Sequence, residues 1–336
     1  MIGGCGGLAP RNLLSTITVV AAMAKLAPLA RKLRGWWNGN AAPADAAAPD
    51  SDAADSASGG AGKSAMPFSL PLPDGRKAQI WADPRIRVVE RVFGMGFLGP
   101  NNEAWAEQLI KPMILDSKMS VMHLSAGLGG ITRAIHKISG SWVTGYESSP
   151  QLAAGAMELS NLASMAKKAP IVGYNPEEPE FKAESCNAIV ATKAFAAVNN
   201  KQALYNAMFN ALRIDGHVMM TEYLRKGSDA AAPAIVEWIK AEPRPIELAS
   251  AEETGAALKR AGFDMRVMED VSEDLQRRIA ASWAAFARTL AEVGLDRGLV
   301  GSLTDELALW MARTRVLESG AVASYRIHAI KNKRKA

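Results

Sequence analysis

Short apolar runs alternate with amphipathic stretches along residues 120–330, and polar residues, glycine or proline separate them. Short apolar runs are typical of buried strands, whereas apolar residues that recur every three or four positions are typical of helices. The predicted strands are 121–124, 142–146, 171–174, 188–192, 217–223, 263–269 and 325–330. The predicted helices are one opening at 131 and those at 150–168, 201–213, 250–262, 271–292 and 303–318. Strands that alternate with helices predict an α/β sheet.

Residues 121–147 are the most informative part of this pattern. An apolar strand, 121–124, is followed by the glycine-rich turn Ser125–Gly130, a helix and a second strand that ends in Glu147. Glycines let a ligand approach the backbone closely, and an acid at the tip of the second strand can bind a ribose hydroxyl pair. The turn reads Gly-x-Gly-Gly, and Glu147 lies 18 residues beyond Gly129. This spacing predicts a nucleotide-type ligand.

The turn and the acid resemble motif I and the following acidic strand end of class I S-adenosylmethionine-dependent methyltransferases. Residues 86–100 resemble the segment that precedes motif I in phosphoethanolamine and related small-molecule N-methyltransferases. In those enzymes a Tyr-Glu-x-x-Phe-Gly-x-x-Phe pattern covers the cofactor. The matching positions here are Glu90, Phe93, Gly94 and Phe97.

This resemblance covers about residues 80–225, and beyond them the chain matches only in the order of its elements. It implies a Rossmann-like class I methyltransferase sheet, mostly parallel with an antiparallel last strand and with helices on both faces. It also implies S-adenosyl-L-methionine as the methyl donor. The residues expected to bind this cofactor are Ser125, Ala126, Gly127, Gly129, Glu147, Asn175 and Phe97. The sequence assigns neither a catalytic residue nor a metal site.

Several positions depart from the family pattern. Motif I usually begins apolar-Asp-apolar-Gly, but His123 stands at the acid and Ser125 at the first glycine. The acid that contacts the adenine amino group falls near Asn175, and the acid that opens motif IV falls at Asn187. An amide at 175 can still accept a hydrogen bond from adenine. A protonated His123 would repel the sulfonium cofactor, whereas a buried, hydrogen-bonded core histidine is the alternative interpretation.

Two functions of different classes stay open. The retained glycines and Glu147 favour an S-adenosylmethionine-dependent methyltransferase for a small or lipid-like acceptor, since the sulfonium is already activated and catalysis is mostly alignment. The neutralised acids favour a catalytically inactive methyltransferase fold that acts as a binding or scaffolding partner. The tyrosine and histidine that assist catalysis in the phosphoethanolamine enzymes align with Trp81 and Ala197, which adds to this second case. Lys193, after the fourth strand, either meets an anionic acceptor or is simply exposed.

The amino-acid composition limits the classes of partner and the compartment that we expect for this chain. The chain is 49% hydrophobic and 22% charged, which is typical of a globular protein. The net charge of +5 comes from basic residues near both ends, and the middle has no basic stretch interleaved with aromatics, so we expect no nucleic-acid partner. Two cysteines, Cys5 and Cys186, offer neither a disulfide framework nor a zinc site. We expect a cytoplasmic protein, with peripheral contact at the inner face of a membrane as one alternative.

The composition also divides the chain into three regions. These are the apolar and basic segment 1–40, a flexible Ala/Pro/Asp/Ser linker at 41–66 and the methyltransferase-like domain at 67–336. Residues 13–24 form a nearly uncharged run that is too short to cross a bilayer as a straight helix. A membrane-surface anchor, a cleaved signal peptide and a core-packing or unstructured leader are three alternatives for segment 1–40. The acceptor and the oligomeric state do not follow from the sequence.

Overall fold

The computed structural model describes residues 76–227, 232–293 and 297–332, so the interpretations of segments 1–40 and 41–66 lie outside the described residues. The strands are β1 Ser120–Leu124, β2 Trp142–Glu147, β3 Ile171–Gly173, β4 Cys186–Thr192, β5 Leu212–Arg225, β6 Asp264–Asp270 and β7 Val322–Ile330. The helices are α1 Pro84–Phe93, α2 Glu103–Ile110, α3 Gly130–Ser139, α4 Pro150–Leu162, α5 Lys201–Ala211, α6 Pro233–Ala241, α7 Ala251–Ala261, α8 Ser272–Val293 and α9 Val300–Glu318. Short 3₁₀ turns lie at Gln79–Ala82, Lys111–Met113 and Arg297–Leu299.

The seven strands form one sheet in the order β3-β2-β1-β4-β5-β7-β6. Strands β1 to β5 pair in parallel, and β7 runs antiparallel between β5 and β6. The predicted mostly parallel sheet with an antiparallel last strand is therefore confirmed. The chain winds outward from β1 to β3 and then crosses to β4 on the other side of β1. Ligands of open α/β sheets bind at such a reversal, beyond the carboxyl ends of the strands.

Alternating side chains of the central strands face opposite helix layers. On one face, Val121 and Val190 pack against apolar residues of α2 and α3. On the other face, Met122 and Ile189 pack against α5 and α7. A third cluster joins α1, α6, α8 and α9, and the fully buried Trp283 and Trp310 lie within it. The sheet is thus covered on both faces, as predicted, and its carboxyl edge is left for a site.

Local signals explain where most elements end. The capping box of Ser250 and Glu253 opens α7, and Gly262 ends it with a left-handed φ of 104°, both as predicted. The helix predicted to reach Lys168 ends at Leu162 instead, because the chain turns at Ser164, whose φ is 58°. Strand β5 begins at Leu212 rather than at 217, since Leu212 already pairs with β4 ahead of an irregular register.

Helices α2 and α6 were not predicted from the sequence. Both are short, at eight and nine residues. Their few apolar residues do not repeat often enough to indicate a helix, and packing against elements distant in sequence stabilises them. Within the described residues, no helix is both long and apolar enough to cross a membrane.

Candidate cofactor and acceptor site

The glycine-rich turn after β1 has the backbone conformation that its sequence predicts. Ser125, Gly127 and Gly129 all have left-handed φ values, of 59°, 55° and 76°. Glycine takes this conformation without strain, whereas the serine takes it at a cost. The buried Ala126 donates its N–H to the carbonyl oxygen of Tyr146, 3.1 Å away, and so joins the turn to β2. The turn is therefore a rigid cradle at the carboxyl edge of the sheet.

Glu147 ties the tip of β2 to this cradle. Its Oε2 accepts a hydrogen bond from the N–H of Gly127 at 2.7 Å, and its Oε1 accepts from the N–H of Ser149 at 3.0 Å. The side chain is only 4% exposed. Each carboxylate oxygen has a second acceptor site, so the group can still receive hydroxyl donors. The strand-end acid and the glycine turn therefore meet in one place, as the sequence spacing predicted.

His123 lies in the middle of β1 and is fully buried. Its Nδ1 lies 2.8 Å from the Thr132 hydroxyl and its Nε2 lies 3.1 Å from the Thr192 hydroxyl. Burial lowers the pKa of His123 to about 3. The ring is therefore neutral near pH 7 and does not repel a cationic ligand, so the core-histidine interpretation is the correct one. A neutral bridge between β1, α3 and β4 stands where the family has an acid.

The segment predicted to cover the cofactor lies directly on the glycine turn. The carbonyl oxygen of Gly96 accepts from the N–H of Gly130 at 2.9 Å, and the N–H of Gly96 donates to Glu90 Oε1 at 3.2 Å. The half-buried Phe97 packs so closely on Gly130 that a β-carbon there would lie 2.8 Å from its ring. A β-carbon on Gly127 would lie 2.9 Å from the Leu98 side chain. We call residues 94–98 the lid.

A buried guanidinium supports the contact between the lid and the turn. Arg133 of α3 donates to the carbonyl oxygens of Leu128 at 3.0 Å and Ala156 at 3.3 Å. Burial lowers its pKa to about 10, and the nearby Glu90 opposes that shift. A β-carbon on Gly96 would lie 2.3 Å from Arg133 Nη2. Arg133 gave no signal in the sequence, since one charged residue on an amphipathic helix is ordinarily exposed.

Asn175 lies apart from this cradle, on an exposed turn after β3. Its Oδ1 accepts from the N–H of Glu177 at 3.1 Å, and its Nδ2 donates to Glu178 at 3.3 Å. The preceding residue, Tyr174, is half-buried and packs edge-on against Tyr146 at 5.8 Å between ring centres. Burial raises the pKa of Tyr174, and the carboxylates of Glu147 and Glu222 raise it further. Tyr174 thus interacts electrostatically with the carboxylates of the site, whereas the hydrogen bonds of the Asn175 side chain stay within its own turn.

Trp81 and Ala197, which align with the family's catalytic tyrosine and histidine, supply no acid or base. Trp81 is fully buried, and its indole N–H donates to Glu158 Oε2 at 2.6 Å. The indole therefore belongs to the packing between the Gln79–Ala82 turn and α4.

Lys193 lies on the acceptor side of the same edge, directly after β4. Its Nζ donates to the hydroxyl of Tyr223 at 3.1 Å and lies 4.6 Å from the centre of that ring. Its side chain is half-buried, so the interpretation as a simply exposed lysine is wrong. It lines a cavity of about 210 Å³ between the sheet and helices α2 and α8, together with Trp105, Leu109, Arg278 and Arg326.

The charges around this cavity are unequally compensated. Arg278 pairs with Asp274 at 2.9 Å, and Arg326 pairs with Glu269 at 2.6 Å. Among the described residues, no carboxylate forms an ion pair with Lys193. Lys193 therefore differs from the two arginines, because its ammonium group contacts a phenol and aromatic faces instead of a carboxylate.

Glu222, at the end of β5, holds the loop that follows Lys193. It is fully buried, and its Oε1 accepts from the N–H of Ala194. Burial raises the pKa of Glu222 to about 8, and hydrogen bonds from Ala194 and Phe195 oppose that shift. An acid within an apolar strand is an unusual pattern, and it is the signal by which the sequence could have identified Glu222.

Residues 101–266, nearly half of the chain, match the family model of a methyltransferase domain. This match, the curated relatives and the fold together support the class I S-adenosylmethionine-dependent methyltransferase family that the sequence motifs resemble. It is 23% identical over 188 residues to phosphoethanolamine N-methyltransferase 1 of Arabidopsis thaliana, a match that covers 56% of this chain and 37% of that relative. This chain thus spans well under half the length of that curated relative. The match to a methyltransferase domain supports the predicted methyl donor, S-adenosylmethionine.

Solved structures agree on the fold. Phosphoethanolamine N-methyltransferase 2 of Haemonchus contortus, in complex with S-adenosyl-L-methionine, superposes with a TM-score of 0.65 and 17% identity, over 76% of this chain and 59% of that one. A protein of Galdieria sulphuraria assigned as a sarcosine dimethylglycine methyltransferase gives 0.61 and 14%, over 74% of this chain and 99% of that one. At these identities the likeness establishes the methyltransferase fold alone.

Proposed function

We propose that this chain is an S-adenosylmethionine-dependent methyltransferase that methylates a small, anionic acceptor. The observation that carries the proposal is the contact between Glu147 and the N–H of Gly127. It brings the strand-end acid and the left-handed glycine turn into the arrangement that a nucleoside ligand requires. The name of the Arabidopsis relative, a phosphoethanolamine N-methyltransferase, supports a small acceptor with an acidic group.

In this proposal the cradle holds the cofactor through backbone more than through charge. Ser125, Ala126, Gly127 and Gly129 line the methionine part, and Glu147 receives the ribose hydroxyls. Phe97 of the lid covers the cofactor, whereas Asn175 lies on an exposed turn with its amide bonded to Glu177 and Glu178 and is not assigned an adenine contact. S-adenosylmethionine supplies an activated methyl group when bound, so the protein's contribution is to align the acceptor and exclude water.

The acceptor is placed against Lys193 in the cavity of about 210 Å³. This volume lies below the usual range for ligand pockets, which favours a small molecule over a lipid chain. The ammonium group of Lys193 would attract a phosphate or carboxylate and would repel a second cation. A general base is needed only if the acceptor arrives protonated.

A second function, an inactive fold that binds a partner, is favoured by one specific observation. Both oxygens of Glu147 already accept backbone hydrogen bonds, and the group is 4% exposed. Leu98 also packs on Gly127. A bound cofactor would have to displace the Leu98 side chain, whereas a scaffolding protein that binds no cofactor would keep it in place.

Calorimetry on the full chain separates the two functions. We expect micromolar binding of S-adenosylmethionine and S-adenosylhomocysteine, and Glu147→Gln to weaken both by roughly tenfold or more, because a charge-assisted acceptor becomes neutral. Glu252→Gln, on the exposed first turn of α7, is the matched control and should bind as wild type. Absence of binding at millimolar ligand would contradict the methyltransferase and leave the scaffold. Binding without methyl transfer to any phosphorylated or carboxylated amine or alcohol would contradict the acceptor class alone.

A further inference from the structure

Three large apolar side chains are exposed together at the amino-terminal edge of the sheet. Ile114 is 83% exposed, Ile138 is 39% exposed and Trp142 is 47% exposed. Ile114 precedes β1, Ile138 lies at the end of α3 and Trp142 is the first residue of β2. We call these three residues and the lysines around them the amino-edge patch.

Ile114 is held in a conformation that its side chain disfavours. Its φ of 47° and ψ of 51° are left-handed, which is a genuine outlier for a β-branched residue. Neither this backbone conformation nor the exposed side chain stabilises the fold, since both cost free energy. Such an outlier points to a role outside the fold.

A shallow groove joins Ile114 to Ile138. It has a volume of about 310 Å³, and its apolar walls are Ile110, Ile114, Leu115 and Ile138. Lys111 lies on its rim, as does Glu107. The segment 115–119 leads from the groove to Trp142, whose N–H donates to the carbonyl oxygen of Met119 at 2.9 Å, and Ser117 lies against Gly140.

Lysines surround these apolar groups. The Nζ of Lys168 lies 3.3 Å from the centre of the Trp142 ring. Lys111 and Glu107 line the groove, Lys137 and its partner Glu103 lie next to Ile138, and Lys118 and Asp116 lie in the segment that leads to Trp142. Glu103 is already paired with Lys137, so the remaining charge is positive. Apolar side chains with tryptophan and lysine at their margin are typical of surfaces that insert into the headgroup region of a bilayer.

We propose that the amino-edge patch docks this protein on a membrane surface that carries anionic headgroups. Ile114 and Trp142 enter the interface, and the lysines contact the lipid phosphates and carboxylates. The exposed isoleucine and tryptophan side chains favour a bilayer over an acidic protein surface, and the positive charge favours anionic over neutral headgroups. The proposal uses no residue of the cofactor site and does not depend on activity.

The docked orientation has a consequence for the acceptor. Strand β1 spans five residues, about 16 Å, between the patch side and the glycine turn. The carboxyl edge therefore faces away from the bilayer, toward water. A soluble acceptor can reach the site in this orientation, whereas a headgroup of the same membrane cannot.

Co-sedimentation of the full chain tests the proposal with phosphatidylcholine vesicles that contain or lack phosphatidylserine. We expect binding to the anionic vesicles to be about tenfold weaker in Ile114→Asn, because asparagine tolerates the left-handed backbone and removes the inserted side chain. Lys111→Glu combined with Lys118→Glu should weaken it further and reduce its salt dependence. Val236→Asn, an exposed apolar position on α6, should bind as wild type.

Hydrogen–deuterium exchange with the same vesicles shows which residues contact the membrane. Membrane contacts elsewhere in the chain therefore do not affect the result for the amino-edge patch. We expect protection of residues 111–119 and 138–142 on anionic vesicles. Unchanged exchange there would overturn the proposal, even if the chain still sediments. Protection that also appears without vesicles at high protein concentration, and is lost in Ile114→Asn, would assign the patch to a second copy of this chain instead.

Discussion

His123 and Glu222 are fully buried ionisable groups in two different parts of the sheet. His123 lies beside the glycine turn, in what we call the cofactor half, and Glu222 lies beside the loop after Lys193, which we call the acceptor loop of the acceptor half after the role proposed for it. His123 is bonded to two side-chain hydroxyls, and Glu222 is bonded to backbone N–H groups of the loop after Lys193. Burial lowers the pKa of the first to about 3 and raises that of the second to about 8. Both are therefore uncharged near pH 7, so each half is held by hydrogen bonds rather than by charge.

The difference lies in how each group responds to pH. A fall in pH protonates His123 and so destabilises the cradle, whereas a rise in pH deprotonates Glu222 and so destabilises the acceptor loop. The two halves can therefore be perturbed separately.

The largest expected effect comes from Glu222. Its folded pKa of about 8 lies above the ordinary value of 4.5. Between these values the unfolded chain releases the proton and the folded chain keeps it, so stability falls as pH rises, by up to about 1.4 kcal/mol per pH unit. Urea unfolding of wild type and Glu222→Gln from pH 4.5 to 8.5 measures this slope. The variant should lack it, and parallel curves for the two proteins would contradict the prediction.

His123 should give the opposite slope. Its folded pKa of about 3 lies below the ordinary 6.5, so the unfolded chain binds the proton first and stability falls as pH drops below 6.5. The loss again approaches about 1.4 kcal/mol per pH unit. Comparing His123→Gln with wild type between pH 7 and 4.5 isolates this contribution from that of the carboxylates. Equal losses in both proteins would mean that His123 is not the neutral bridge described above.

Glycine in the lid should be the next most sensitive position. Gly96 has a φ of 85°, and a β-carbon there would lie 2.3 Å from Arg133 Nη2. Gly96→Ala should therefore destabilise the fold by about 3 kcal/mol, through strain and overpacking, and weaken cofactor binding. Gly301→Ala on α9, where a β-carbon meets nothing within 4 Å, should be neutral or slightly stabilising. Denaturant unfolding compares them, and equal stabilities would show that the lid does not rest on Arg133.

The same contrast separates what could be predicted from the sequence from what could not. The glycine turn, Glu147 and the capping box of Ser250 were predicted because short-range patterns determine their backbone. Glu222, Arg133 and Tyr174 were missed because their roles depend on burial by residues distant in sequence. Backbone features of the site are thus encoded locally, whereas the side chains that act through burial depend on tertiary packing on both sides of the site.

Lys193 offers the smallest effect and the sharpest test of the acceptor half. If the acceptor is anionic, Lys193→Met should raise its KM roughly 30-fold, the loss of one charge-assisted hydrogen bond, with little change in kcat. Lys193→Arg should recover part of the affinity, and Lys240→Met, an exposed lysine on α6, should behave as wild type. A methyl-transfer assay with radiolabelled donor measures all three. An unchanged KM in Lys193→Met would place the acceptor elsewhere, while S-adenosylmethionine binding, measured separately, would still establish the cofactor half. Lys193 contacts the hydroxyl of Tyr223, and Tyr223→Phe removes that hydroxyl while it keeps the ring. This variant should therefore raise KM as well, but less than Lys193→Met does. A rise without loss of the ring indicates a bound anion rather than altered packing.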